Sequence, residues 1–218
     1  MPPESPHPTR ATLDVFLIRH GVTDWNENGR VLGRSAIALN ARGRAQAKAL
    51  GAALHDVQLD TVLVSPQLRA QQTAELSAQA QGLPLFTEPR LDEVWVGRWQ
   101  GKTWAELRGD PDLEQYGRDP TYECEAIEPA AGVQQRVVAV VEQLRAGATH
   151  RVALVSHGDP LKLVLAHYLD MDLTAYRRLA IDTGSVSVLR FGPPYGSRLL
   201  VLNWKPPGTL RELVAPTV

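Results

Sequence analysis

Residues Phe16–Asn26 read FLIRHGVTDWN. An apolar run ends abruptly on an arginine, a histidine and a glycine, then turns polar. The run starts at Leu13, and LDVFLI carries the β-branched and aromatic side chains of a buried strand. Guanidinium and imidazole groups resist burial. A strand that ends on both either meets solvent there or aims them at a site.

The pattern continues outward from this strand. LNARGRAQAKALGAALHDV has Asn40 as a candidate cap, with Ala45, Ala49, Leu50, Ala53 and Leu54 at helical spacing. TVLVS (Thr61–Ser65) predicts a second buried strand. Ser65-Pro66 is then expected to open a helix, the serine as its cap and the proline in its first turn. LPLFTE is a third strand candidate. A helix in VQQRVVAVVEQLRAG, the strand RVALVS and a helix in DPLKLVLAHYL follow, and SVSVLRF and RLLVLNW close the chain as two antiparallel strands at an edge. Strands alternating with helices imply crossover units. The expected fold is α/β, a three-layer sandwich whose mainly parallel sheet has helices on both faces and an antiparallel edge strand.

The length of 218 residues suits one domain. Residues 1–11 are proline-rich and polar and read as a flexible leader, which leaves 12–218 as a single domain. Asp110 to Ala131 is rich in acid and proline without clear periodicity, so about 103–131 reads as a lid-like surface excursion. Lys and Arg number 23 against 24 Asp and Glu, for a net charge of -1. This balance gives no bulk attraction to nucleic acid or membrane, so anion binding has to be local. The lone Cys124 argues against a disulfide framework and for a reducing, cytoplasmic setting. It sits in the acidic run YECEAIE, which disfavours a thiolate. The edge hairpin offers a surface on which a homodimer would form.

In parallel sheets, ligands sit beyond the carboxyl ends of the strands. Arg19, His20 and Gly21 follow the first strand, and Arg69 stands one turn beyond Ser65. EPRLDEVWVGRWQG with Glu93 follows the third strand, and Ser156, His157 and Gly158 follow the fourth. No histidine, cysteine or carboxylate spacing marks a metal centre, and neither a dinucleotide nor a P-loop motif is present, so no metal or cofactor is expected. Forked arginine donors match phosphate oxygens, and helix N-termini add N–H groups. A neutral imidazole can attack phosphorus, and a carboxylic acid can protonate the leaving oxygen. The set suits phosphoryl transfer through a phosphohistidine.

The motifs carry a resemblance. RHGVTDWN resembles the R-H-G-x-[ST]-x-W-N signature of the histidine phosphatase superfamily, which includes the phosphoglycerate mutases. LNARGRAQAKALG is similar to the family's L-T-x-x-G-x-x-Q-A helix, and SPQLRAQQTAE to its S-P-x-x-R-[AC]-x-Q-T-A segment. LDEVWVGRWQG is similar to L-x-E-x-x-x-G-x-W-E-G, and VSHGDPLK to the S-H-G motif. The segments occur in order and span most of the chain. The resemblance implies a phosphoglycerate mutase-like fold with His20 as nucleophile. It implies that Arg19, Arg69 and His157 hold the phosphoryl group, with Thr23, Asn26 and Gly158 as further contacts, and that Glu93 is the proton donor. No cofactor or metal is implied, and the partner is a small-molecule phosphomonoester.

Several residues keep a plainer reading. Glu93 competes with Asp92 and Glu88, Thr23 and Asn26 also suit a turn, and Arg30 and Arg34 suit either the substrate's far end or a solvated loop. Trp95, Trp99 and Trp104 are candidates for the pocket mouth. The family's mutases have a tyrosine and a lysine where Val96 and Trp104 stand here, which favours a phosphatase over a phosphoglycerate mutase. A non-catalytic phospho-ligand module and a metal-dependent hydrolase are the remaining alternatives. Asp159, in the first turn after His157-Gly158, either faces away or reads a cationic or hydroxylated part of the substrate.

Overall fold

The computed structural model describes residues 12–78, 82–125 and 127–207, and the expected leader at 1–11 lies outside them. Six strands form one sheet: β1 (Leu13–Arg19), β2 (Thr61–Val64), β3 (Leu85–Thr87), β4 (Arg151–Ser156), β5 (Val186–Gly192) and β6 (Gly196–Trp204). Their spatial order is β3-β2-β4-β1-β5-β6. The first four strands of that order run parallel. β5 runs against β1, and β6 reverses again against β5. The closing hairpin does sit at one edge, but the reversed strand is the inner one, β5.

Alternation along β1 shows why the sheet needs cover on both sides. Val15 and Leu17 join a core with Val137 and Val141 of α5 (Ala130–Arg145) and Leu161, Val164 and Leu165 of α6 (Gly158–Tyr168). Phe16 and Ile18 face the other way, into a core with Leu50 and Leu54 of α2 (Ala41–Leu54) and Ala70 and Ala74 of α3 (Leu68–Ala78). The expected cap of α2 is present, since Asn40 Oδ1 accepts from the Gly43 N–H at 2.9 Å.

Two expectations need correction. The helix after β2 begins at Leu68, not at Ser65-Pro66. Ser65 stands three residues ahead of that start, where its Oγ accepts from the Gln67 N–H at 3.3 Å and meets the His157 ring at 2.7 Å. The 103–131 excursion is also more ordered than its composition suggests. It contains a helix, α4 (Pro111–Arg118), capped by Asp110, whose side chain accepts from the N–H groups of Asp112 and Leu113. Leu107, Tyr116 and Ile127 are buried in a third core with Val31, Val94, Val96 and Trp99. This core lies against the segment after β3 and forms one wall of the cleft described below.

The carboxyl end of β1 depends on contact between two glycines. A Cβ on Gly21 would lie 2.5 Å from the Gly43 carbonyl oxygen, and one on Gly43 only 2.1 Å from the Val22 oxygen. Backbone therefore packs on backbone where α2 passes the end of β1. Gly43→Ala is expected to cost about 1–3 kcal/mol, the range for overpacking, measured by urea denaturation. The same variant should lose activity through the displaced Gly21–Val22 turn. Unchanged stability would mean that α2 shifts freely.

Candidate active site

Two strand ends, one helix and one loop converge on a buried cluster. β1 supplies Arg19 and His20, α3 supplies Arg69, the turn after β4 supplies His157, and the segment after β3 supplies Glu93. The ring centroids of His20 and His157 are 5.1 Å apart. Glu93 Oε2 lies 3.7 Å from His157 Nδ1 and 3.9 Å from Arg69 Nη2. The five residues that the motifs singled out for chemistry are thus neighbours in space.

His20 is held from both sides. Its Nδ1 is 2.7 Å from the Gly21 carbonyl oxygen, which can only accept, so Nδ1 carries the proton. Nε2 then offers a lone pair, and Arg69 Nε–H donates to it at 3.3 Å. Burial, then Arg69 and Arg19, hold the His20 pKa well below its ordinary value, so the ring is neutral near pH 7. His157 is lowered for the same first reason, burial, followed by its neighbours Arg69, His20 and Arg19.

The family motifs acquire physical meanings here. Arg69 is fully buried and donates to the carbonyls of Gly33 at 2.9 Å and Ser35 at 3.0 Å. Thr73 accepts from the Gly21 N–H at 3.0 Å and donates to the Arg69 carbonyl, tying α3 to the His20 turn. Gln46 of α2 accepts from the Val22 N–H and donates to Thr183 O. Arg19 Nη1 donates to Ile181 O at 2.6 Å, while its Nε is buried without a hydrogen-bond partner. Gly158 lies against this guanidinium, and a Cβ there would be 3.4 Å from Arg19 Cζ.

Glu93 holds its proton far more tightly than an ordinary carboxyl. Burial raises its pKa to about 7, with Asp159 adding to the rise and Arg69, the Val94 N–H and Arg19 opposing it. Asp92 and Glu88, its sequence competitors, are engaged elsewhere. Asp92 accepts from Gln67 and from the Glu93 N–H, and Glu88 pairs with Arg90. The Glu93 backbone is itself clamped, for its carbonyl accepts from Arg34 Nε at 3.0 Å and Arg136 Nη2 at 3.3 Å. Both arginines also bond Glu128, at the far end of the excursion. Arg34 is exposed but not among the cleft-lining residues, and its guanidinium is engaged by Asp92, Glu128 and the Glu93 carbonyl. Arg136 and Glu128 carry no motif, and their role is invisible in the sequence.

Through Arg19 and Glu93 the cluster meets a cleft of about 950 Å³, and His20, Arg69 and His157 lie buried beneath its lining. Val94, Val96, Trp99, Leu113, Tyr116 and Ile127 give it an apolar side, and Trp104 stands exposed at the rim. Trp95 is not among the lining residues. Asn26 and Arg30 line the cleft, but Thr23 lies fully buried behind it. Thr23 donates to Asn26 Oδ1 at 2.9 Å and accepts from the Asn26 N–H, so it fixes the Asn26 amide rather than reaching the cleft itself. Asp159 faces the cleft and is paired with Lys162 at 3.3 Å. His20, Glu93 and His157 present ligand atoms within 4.8 Å of one another, a spacing that a metal ion could bridge. A cation there would have to share the site with the guanidiniums of Arg69 and Arg19, which makes the cluster an anion site instead.

The family model for the histidine phosphatase superfamily (branch 1) matches residues 15–205. The chain belongs to this superfamily. Phosphoserine phosphatase 1 of Hydrogenobacter thermophilus is 31% identical over 181 residues, 81% of this chain and 86% of that protein. A probable phosphoglycerate mutase, GpmB, of Yersinia enterocolitica is 32% identical over 80% of this chain and 83% of its own length. The crystal structure of a putative alpha-ribazole-5'-P phosphatase from Escherichia coli superposes with a TM-score of 0.81 at 30% identity, covering 90% of this chain and 98% of that one. Within the histidine phosphatase superfamily, the chain is thus similar to phosphatases of several kinds and to a probable mutase.

The raised Glu93 pKa has a thermodynamic sign. The folded protein holds this proton more tightly than the unfolded chain, so ionised Glu93 costs stability, increasingly as pH rises from 4.5 through about 7. Glu93→Gln should therefore raise the thermal midpoint at pH 8, with the gain vanishing near pH 4. A stabilisation that is equal at both pH values, or none at pH 8, would contradict the burial argument.

Proposed function

We propose that this chain is a metal-independent phosphomonoesterase that works through a phosphohistidine at His20 Nε2. The observation that carries the reading is the protonation state of His20. A 2.7 Å contact to a carbonyl oxygen holds its proton on Nδ1 and leaves the Nε2 lone pair among buried cations. In the first step, Nε2 attacks phosphorus as the bond from phosphorus to the leaving oxygen breaks. The carboxyl of Glu93 gives its proton to that oxygen. Arg69 Nε–H, no longer bonded to the nitrogen, turns to a phosphoryl oxygen, and Arg19, His157 and the Asn26 amide supply further donors.

In the second step, ionised Glu93 takes a proton from water while the water oxygen bonds to phosphorus. The P–N bond breaks, inorganic phosphate leaves, and His20 returns to its neutral form. Glu93 is suited to both roles because a pKa of about 7 balances giving and taking a proton near neutrality. The Gly158 N–H, at the start of α6, favours the anionic phosphoryl group.

The leaving group is larger or less anionic than glycerate. One side of the cleft is an apolar wall with an exposed tryptophan, and Val96 and Trp104 offer no charge to hold a carboxylate, while Arg30, Arg42 and Arg177 line other parts of it. Asp159 and Lys162, paired at the cleft edge, suit hydroxyl groups on that substituent. The phosphatases among the relatives support hydrolysis, and the probable mutase among them is the reason isomerisation is tested beside it.

Phosphate release from a panel of phosphomonoesters, including 3-phosphoglycerate, tests the reaction. Release should persist in chelator and disappear in His20→Ala. Silence on every ester, with isomerisation of phosphoglycerate, would establish the mutase instead. On the best ester, kcat/KM should fall above pH about 7, and Glu93→Gln should lower kcat about 10²- to 10⁴-fold and abolish this fall. Asp159→Asn should reorder the esters, with hydroxyl-rich leaving groups losing most; an unchanged order would remove Asp159 from substrate recognition.

A further inference from the structure

His157 presents a problem that its distances pose and resolve. A neutral imidazole has a single N–H, so toward an anionic oxygen it is either a donor or a repelling lone pair, depending on which nitrogen holds the proton. His157 Nδ1 is the nitrogen on the side of Glu93, 3.7 Å from its Oε2, and it is buried with no hydrogen-bond partner. The other nitrogen, Nε2, is 2.7 Å from Ser65 Oγ.

Serine can play either part in that contact, but its surroundings decide. Ser65 has no exposed surface, and its Oγ already accepts from the Gln67 N–H at 3.3 Å. Its own proton needs an acceptor, and among the described residues the only one in bonding range is His157 Nε2. Were Nε2 protonated instead, Oγ would receive two N–H groups and its hydroxyl proton would be buried unpaired, at a cost of about 1–3 kcal/mol. The bare Nδ1 would then face a carboxyl oxygen and the phosphoryl position. With the Ser65 proton on Nε2, every group in the chain Gln67–Ser65–His157 is satisfied except Nδ1–H, which is left for a ligand.

We infer that Ser65 is a positioning residue that holds His157 in the Nδ1–H tautomer, so that the ring donates to the phosphoryl group. The use of Nδ1–H on a phosphoryl oxygen rests on the function proposed above; the tautomer itself does not. The serine that the sequence offers as a helix cap thereby binds the end of β2 to the end of β4.

The test is ¹⁵N NMR of histidine-labelled resting enzyme, with the His157 resonances assigned by their loss in His157→Gln. The wild type should show a protonated Nδ1 and a bare Nε2. Ser65→Ala should move the proton to Nε2 or mix the two forms. It should also weaken the binding of inorganic phosphate and lower kcat/KM by about 10- to 100-fold, the usual effect of an outer partner of a site histidine. Ser65→Thr, which keeps the hydroxyl, should keep the Nδ1–H signature and most of the activity. A wild type protonated at Nε2, or a Ser65→Ala enzyme that retains Nδ1–H, overturns the inference. If Ser65→Ala fails to fold, the wild-type spectrum decides alone. Lack of phosphatase activity in the wild type would sink the proposed reaction but leave the spectrum readable.

Discussion

A guanidinium with no exposed surface organises this molecule. Arg69 sits under the cleft, its charge met by the carbonyls of Gly33 and Ser35 and by the more distant carboxyl of Glu93. Burial pulls its pKa down from the usual value, and the carboxylates of Glu93 and Asp92 oppose that. Arginine stays charged even so. Burial first, and then this fixed charge beside them, keeps both imidazoles neutral. The neutrality of His20 and His157 is thus a property of the surroundings and not of the rings.

Around this charge, the fold is built for close approach more than for reach. Gly21 and Gly43 let α2 touch the end of β1, and Gln46 and Thr73 then bond the backbone of the same turn from two different helices. Each of these side chains satisfies a backbone group that the turn would otherwise leave buried and unpaired. The residues that sit nearest the chemistry without taking part in it are hydrogen-bond partners of main chain. This fixes the position of the imidazole without relying on its own flexible bonds.

Glu93 is governed differently. It comes from an irregular segment, and its backbone is pinned by Arg34 and Arg136, which share Glu128. The excursion that carries α4 is therefore coupled to the acid in two ways. Its apolar residues pack against Val94, Val96 and Trp99, and its last carboxylate anchors the two arginines. Wall, rim and acid behave as one unit, so changes in the excursion alter both the shape of the cleft and the place of the proton.

Much of this was readable from residues alone. The apolar run in LDVFLI, the Asn40 cap and the strand–helix order are local properties, spanning a few residues each, and they point to the layered sheet and to which ends carry the site. The resemblance of the motifs then singled out Arg19, His20, Arg69, Glu93 and His157, which the fold brings together. α4 also had a local signature, Asp110-Pro111 followed by acid residues, but Leu113 and Tyr116 are too few to make an apolar period stand out. What only the tertiary structure decided is how distant groups share protons and charge. Ser65 has the sequence context of a helix cap and becomes the partner of a ring 92 residues away. Thr23 looks like a ligand contact and lies behind Asn26, while Arg136 and Glu128 look like helix-surface and loop charges and hold the acid. Local propensity describes a residue's backbone and its near neighbours. Hydrogen-bond partners and desolvation depend on which segments meet in space, and here four separate segments have to meet before a proton has an assigned atom.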